Sequence, residues 1–324
     1  FQLVFDYYVK TTKDWLLRAP VANIQGADAP DINAGDVENK GVELALRWND
    51  NLGDFRYGAY FNITKNTNEV TRMGDDSGII QSNPSVISQG THPVWRVETG
   101  YPIGYFYGYK TAGVFQNAQQ IANWEHGFLQ STPQPGDLIF VDTNGDGLVT
   151  PEDKTMIGNP HPDLRIGFGI NLEYKGFDFA VSGKGAFGQQ IMQSYRSFAD
   201  NEFHNYTTDI LGRWTGEGTS NRLPRMSAGN SINRQSVSDI YVEDGDYVKI
   251  QEITLGYDFK KLFPGMPLGQ ARLYVAGRNL ITISDYSGMD PEVGYGDERS
   301  FVQGIDLGFY PAPKIYMMGV NLKF

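Results

Sequence analysis

The chain has no cysteine among its 324 residues, which excludes a disulfide framework and a thiolate metal site. No stretch approaches the ~20 consecutive apolar residues of a membrane helix, and the mean hydropathy is -0.39. That excludes helical spanning only, because membrane strands alternate and barely register in hydropathy. Histidine is scarce and scattered, at His92, His126, His161 and His204. No H-E-x-x-H, G-x-S-x-G or cysteine-nucleophile pattern occurs, so no catalytic residue is expected. Basic residues number 27 against 38 acidic ones, a net charge of -11. This argues against a nucleic-acid partner, since phosphate binding needs a basic face. An initiating methionine and a signal peptide are also missing. The chain opens on Phe1-Gln2-Leu3-Val4-Phe5, which reads as mid-strand, and it is expected to be a fragment of something longer.

Glycine (38) and aromatic residues (13%) are plentiful, and together they favour sheet over helix. Apolar and polar residues alternate in eight segments, at 1–12, 39–49, 54–65, 164–175, 177–189, 247–259, 271–283 and 314–324. A strand sends successive side chains to opposite faces, so each segment has one apolar face and one mixed face. The last is the clearest, with Tyr316, Met318, Val320, Leu322 and Phe324 on one side. Connections alternate in length. Those at 50–53, 175–178 and 260–270 are short, while those at 15–38, 66–163, 191–246 and 284–313 are long. Short turns at one end and long loops at the other are the pattern of an outer-membrane barrel. The expected fold is therefore all-β, an antiparallel transmembrane barrel wall spanning 1–324, with 66–163 as a long extracellular loop. Eight strands close a small barrel, but so heavy a loop fits a slice of a larger one better. A soluble extracellular β-rich glycan-binding module is the alternative from another class.

Several blocks, in order, resemble the carboxyl-terminal barrel portion of SusC/RagA-type TonB-dependent outer-membrane transporters. They include Glu38-Asn39-Lys40-Gly41-Val42-Glu43-Leu44, Tyr101-Pro102-Ile103-Gly104-Tyr105-Phe106-Tyr107-Gly108-Tyr109, and Asp142-Thr143-Asn144-Gly145-Asp146-Gly147. Ile157-Gly158-Asn159-Pro160, Arg213-Trp214-Thr215, Ile253-Thr254-Leu255-Gly256-Tyr257 and Ser287-Gly288-Met289-Asp290-Pro291-Glu292 continue the series. The resemblance implies a complete barrel of about 22 strands in the cell outer membrane of a Gram-negative bacterium. It implies a plug and TonB box outside this chain, TonB as partner through that plug, and a SusD-like surface lipoprotein. It also implies nutrient import, with a glycan or peptide as substrate, and an aromatic last residue read by the assembly machinery. The last strand would then pair with a first strand outside this chain.

One loop carries a metal-ligand pattern. Asp142, Asn144 and Asp146 stand at positions one, three and five, Gly147 at six, the Leu148 carbonyl at seven, and Asp153 at twelve. Ca2+ wants about six to eight oxygens, and this spacing wraps them round a point. A structural Ca2+ is expected; the other reading is an Asx-rich turn cluster without an ion. The aromatics Trp95, Tyr101, Tyr105, Tyr107 and Tyr109 are candidate substrate-binding residues, able to stack on sugar rings or peptide side chains, or else to pack under the loops. Gly183-Lys184-Gly185-Ala186-Phe187-Gly188 matches G-x-G-x-x-G, but it lies inside a strand with no helix after it, so glycines against a crowded wall are the better account. The carboxylate pairs Asp75-Asp76 and Glu152-Asp153 are weak glycosidase candidates. The sequons at Asn62 and Asn205 are read as chance.

Overall fold

The computed structural model describes residues 1–18, 31–74, 78–81, 94–129, 131–195, 207–226, 232–293 and 303–324. The strands run β1 (Gln2–Arg18), β2 (Asp31–Leu52), β3 (Phe55–Met73), β4 (Ile79–Gln81), β5 (Trp95–Glu98) and β6 (Tyr105–Gly108). Next come β7 (Thr111–Val114), β8 (Leu138–Phe140), β9 (Thr155–Gly158), β10 (Leu164–Tyr174), β11 (Phe177–Phe187) and β12 (Gln190–Gln193). The last five are β13 (Val242–Asp244), β14 (Tyr247–Asp258), β15 (Gln270–Ile283), β16 (Ile305–Asp306) and β17 (Ile315–Lys323).

Eight of them form one antiparallel sheet in the order β1-β2-β3-β10-β11-β14-β15-β17. These are the eight alternating segments of the sequence. β1 and β17 lie at opposite margins of the sheet, which is the arrangement of an open arc and not of a closed eight-stranded barrel. Short turns join the strands at one end. Lys175 and Gly176, at φ +45° and +94°, make a two-residue link with both centres left-handed, as the twist of a hairpin demands.

Register keeps the apolar residues on one side across the whole sheet. Phe61 faces Phe168, Phe179 faces Leu255, Leu255 faces Val275, and Val275 faces Met318. This side is bare: Phe5 is 63% exposed, Leu255 48% and Met318 77%. A soluble sandwich buries such a face, whereas a membrane wall offers it to lipid. At the turn end Phe55, Tyr174, Phe177 and Tyr257 stand level on four successive strands. Phe177 and Tyr257 lie 4.4 Å apart between ring centres. This is the aromatic girdle of a membrane interface.

The other side is polar and cross-linked by charge. Arg272 Nη2 reaches Asp178 at 2.5 Å and Arg278 Nε reaches Glu252 at 2.8 Å. Tyrosines here lie over glycines on the next strand. A Cβ on Gly169 would stand 2.3 Å from the Tyr60 ring, and one on Gly319 would stand 2.5 Å from Tyr274. Each ring fills the notch its paired glycine leaves, which fixes register between bare strands.

Three strands are longer than the sequence pattern indicates. β2 has 22 residues, about 75 Å at ~3.4 Å each, far more than the ~25 Å apolar band of a membrane wall. The extra length is mostly polar, with Val37 and Val70 paired in the cap core, so it carries no sustained apolar alternation. Asn39 Oδ1 accepts from Asn66 Nδ2 and Asn68 Nδ2, and Arg72 spans Asp36 and Asp14. The long connection at 15–38 thus begins and ends as paired strand above the membrane, and that at 66–163 begins as one.

The face assignment has a direct check. Ile170→Arg puts a charge on the lipid side, where it costs roughly 2–4 kcal/mol near the bilayer midplane. Asn171→Arg, one residue on, puts the same charge on the polar side and is expected to be nearly neutral. Urea unfolding of the complete receptor in liposomes compares the two. Equal losses would mean that the faces are misassigned.

Candidate functional site

Above the sheet, the long connections build a cap with its own core. β4-β5-β6-β9, β7-β8 and β13-β12-β16 form three small sheets. Their apolar side chains meet around Trp95, Phe106, Val114, Leu138 and Met192, each at most 2% exposed. One parallel pair, β12 with β16, joins the connection after β11 to the one after β15.

The candidate substrate-binding aromatics sit in this core. Trp95 is 2% exposed, Tyr105 1%, Tyr107 9% and Tyr109 4%. Tyr105 stacks on Tyr101 at 4.8 Å and donates to Glu98 Oε2 at 2.8 Å. The Arg96 guanidinium covers the Tyr107 ring at 3.5 Å, and Tyr109 meets Phe140 edge to face. Burial raises the Tyr109 phenol to about 12 and raises Tyr105 further, with Glu98 adding to the latter. The structure thus corrects the ligand-stacking role for Trp95, Tyr105, Tyr107 and Tyr109: packing takes up their ring faces. Tyr101 alone is half-exposed.

The Asp142 loop folds as a chain of Asx turns. Asp142 accepts from Gly145 N at 2.7 Å and Gly147 N at 2.8 Å. Asn144 Oδ1 accepts from Asp146 N, and Asp146 Oδ1 from Leu148 N. Burial pushes the Asp142 carboxyl up, but these amides and nearby His126 outweigh it and hold it below the usual range. Asp153, the expected ligand at position twelve, is 0% exposed. It accepts from Thr143 N, Asn144 N and Thr150 N at 2.7–3.2 Å. Its carboxylate closes the loop and caps the short 3-10 turn after it, so it does not join the ligand set. Among the described residues, no three His, Asp or Glu side chains converge as a metal site.

The remaining candidates separate. Lys184 of the G-x-G-x-x-G match belongs to β11, where Gly183 and Gly185 abut Phe168 and Ile166, as expected for a crowded wall. His161 is half-buried against the Ile103 carbonyl at 2.7 Å, and burial lowers its pKa. Asp75-Asp76, His92, His204 and Asn205 lie outside the described residues.

Two features escape sequence reading. The first is a set of buried carboxylates that tie the cap together. Asp137, 1% exposed, accepts from Arg225 Nε at 2.7 Å, Asn233 Nδ2 at 2.8 Å and Gln134 N at 2.8 Å. Asp306 accepts from the Tyr286 hydroxyl at 2.6 Å and from Gly308 N at 2.7 Å. The second lies on the polar side of the sheet, where Lys249 meets Asp290 and Glu292, and Lys184 also meets Glu292. The only sequence signal for it was two lysines on inward positions of neighbouring strands. Burial raises the Glu292 carboxyl, but the two lysines outweigh that and lower it below its ordinary value.

An open antiparallel arc with a lipid-facing side, a polar side and a built-up cap is a wall segment of a large outer-membrane β-barrel. No family model matches the chain. Over 332 aligned positions it is 33% identical to the TonB-dependent receptor P3 of Formosa agariphila, using 100% of this chain and 32% of that protein. It is 29% identical to the TonB-dependent receptor SusC of Bacteroides thetaiotaomicron, over 98% of this chain and 30% of that one. The RagAB peptide transporter structure superposes with a TM-score of 0.76 at 22% identity, over 99% of this chain and 33% of that chain. Along its whole length the chain is thus similar to a barrel portion of TonB-dependent outer-membrane receptors of the SusC/RagA type. It spans about a third of the length of these relatives. They are receptors and transporters by name, in keeping with the expectation of a chain without catalysis.

The Asp137 tie can be tested apart from the wall. Asp137→Ala leaves the half-buried Arg225 and the buried Asn233 without their shared partner, a loss of roughly 1–3 kcal/mol. Trypsin is expected to cut at the cap basic residues Lys154, Arg213, Arg222, Arg225 and Arg234 in the variant while the wall strands stay protected. An unchanged digest would show that the cap does not depend on this carboxylate.

Proposed function

We propose that the complete protein imports a nutrient across the outer membrane, an oligosaccharide or a peptide, as the barrel of a SusC-like TonB-dependent transporter. The observation that carries this reading is the pairing of an exposed apolar side with a polar side across all eight wall strands. It is joined by similarity to TonB-dependent receptors along the whole chain. In this reading the segment is wall, mouth and docking rim. A plug outside this chain couples to TonB, and a SusD-like lipoprotein closes over the cap. The peptide option draws on the RagAB neighbour and the glycan option on the SusC relative; the described residues favour neither. Deleting the gene in its host and measuring uptake of labelled peptides and oligosaccharides checks it. Uptake of one class is expected to fall to the level of a TonB-deficient strain, and unchanged uptake of both would overturn the reading.

A Ca2+ ion in the Asp142–Leu148 loop belongs to the same proposal. Its support is the oxygen spacing of Asp142, Asn144, Asp146 and the Leu148 carbonyl, without Asp153. Calorimetry on the detergent-solubilised receptor is expected to show Ca2+ uptake that Asp146→Ala removes. Equal heats from both proteins would leave the Asx turns as a self-sufficient loop.

A further inference from the structure

Lys184 of β11 and Lys249 of β14 are direct partners in the sheet register, and both point to the polar side. Like charges directly opposite across a strand pair repel. Such a pair persists only with an anion between them, and here the chain supplies it. The connection after β15 turns back onto the wall and lays Asp290 and Glu292 over the two lysines. Glu292 joins both lysine ammonium groups and accepts from the Tyr247 hydroxyl at 3.1 Å. Both Asp290 oxygens lie 3.3 Å from Lys249 Nζ. The Lys249 side chain is only 2% exposed, whereas that of Lys184 keeps 36%. Beside them opens a cleft of about 170 Å3 lined by Arg165, Tyr247, Gln189 and Glu292, among others. The wall therefore offers a cationic, tyrosine-edged seat on its polar side.

The turn filling this seat is held separately from the segment before it. Tyr286 is anchored to Asp306. Ser287 is anchored through its amide to Glu243 and through its hydroxyl to Gln193. Beyond Gly288, Met289 is 65% exposed. The seat and the turn are brought together mainly by charge, with the Tyr247 hydroxyl on Glu292, Gln189 Nε2 on the Pro291 carbonyl and Ala312 N on Asp290 as further ties.

We propose that Lys184, Lys249 and Tyr247 form a carboxylate-binding site on the inner wall, and that the Asp290–Glu292 turn is its tethered occupant. A solute bearing carboxylates, an acidic peptide or an acidic sugar chain, takes the place of the turn. This deepens the import reading and rests on it for the path of the solute. Measuring binding at equilibrium keeps the two apart, since loss of uptake with binding intact would count against import alone.

A tethered ligand competes at an effective concentration of order millimolar, so removing its charge unmasks the site. In the complete receptor in detergent, Asp290→Asn with Glu292→Gln is expected to bind tri-glutamate or tri-galacturonate about tenfold more tightly than the native protein. Adding Lys184→Gln is expected to abolish the gain. The two probes separate a peptide source from a sugar source, and a gain with either supports the site. No gain with either probe overturns it, as does a gain that survives Lys184→Gln. Should the double variant fail to fold, amide hydrogen exchange on the native protein decides. Saturating acidic probe is expected to speed exchange at residues 289–293 relative to tri-alanine, and equal exchange overturns the proposal.

Discussion

Within lipid, no water is available to satisfy a backbone N–H or C=O, so every such group in the wall must be paired by a neighbouring strand. The other features of the wall follow from that ladder. It forces strands, and strands force alternation, so one side can be wholly apolar while the other is polar. It penalises slippage, because a shift of one residue would turn the polar row of Arg272, Glu252 and Lys249 into the bilayer. The tyrosines seated over Gly169 and Gly319 guard against that shift, and the level ring of Phe55, Tyr174, Phe177 and Tyr257 marks where the lipid ends.

The wall was legible in the sequence because lipid imposes a period of two on single residues. Leu164–Tyr174 and Phe177–Phe187 were found nearly to the residue. The rule weakens where its cause does. Above the membrane β1, β2 and β3 continue as paired strands that are mostly polar, such as Asn39 against Asn68, apart from the Val37–Val70 pair buried in the cap. Period-two reading stopped there, although hydrogen bonding did not.

The cap was the least legible part. An aromatic side chain that packs and one that binds a sugar have the same sequence signature, and Tyr105 and Tyr109 proved to be packing residues. Asp153 shows the same ambiguity for carboxylates, since a ligand for Ca2+ and a closing bond for a loop are written alike. The Lys249 cluster was hidden for another reason. It joins β14 to a turn about 40 residues later, and only the fold brings them together.

The ties inside the cap reach far along the chain. Thr111 bonds Asp239 across 128 residues, Leu138 bonds Asn233 across 95, and Arg225 bonds Asp137 across 88. Between the two ends of each tie, β10 and β11 pass down through the membrane and back. The cap therefore cannot be completed as the chain emerges. Its first half waits with Trp95 and Phe106 uncovered until later strands are threaded and the partner loop arrives. Contacts of such sequence separation form slowly, so the assembling wall carries an unfinished, sticky outer layer that is sealed last.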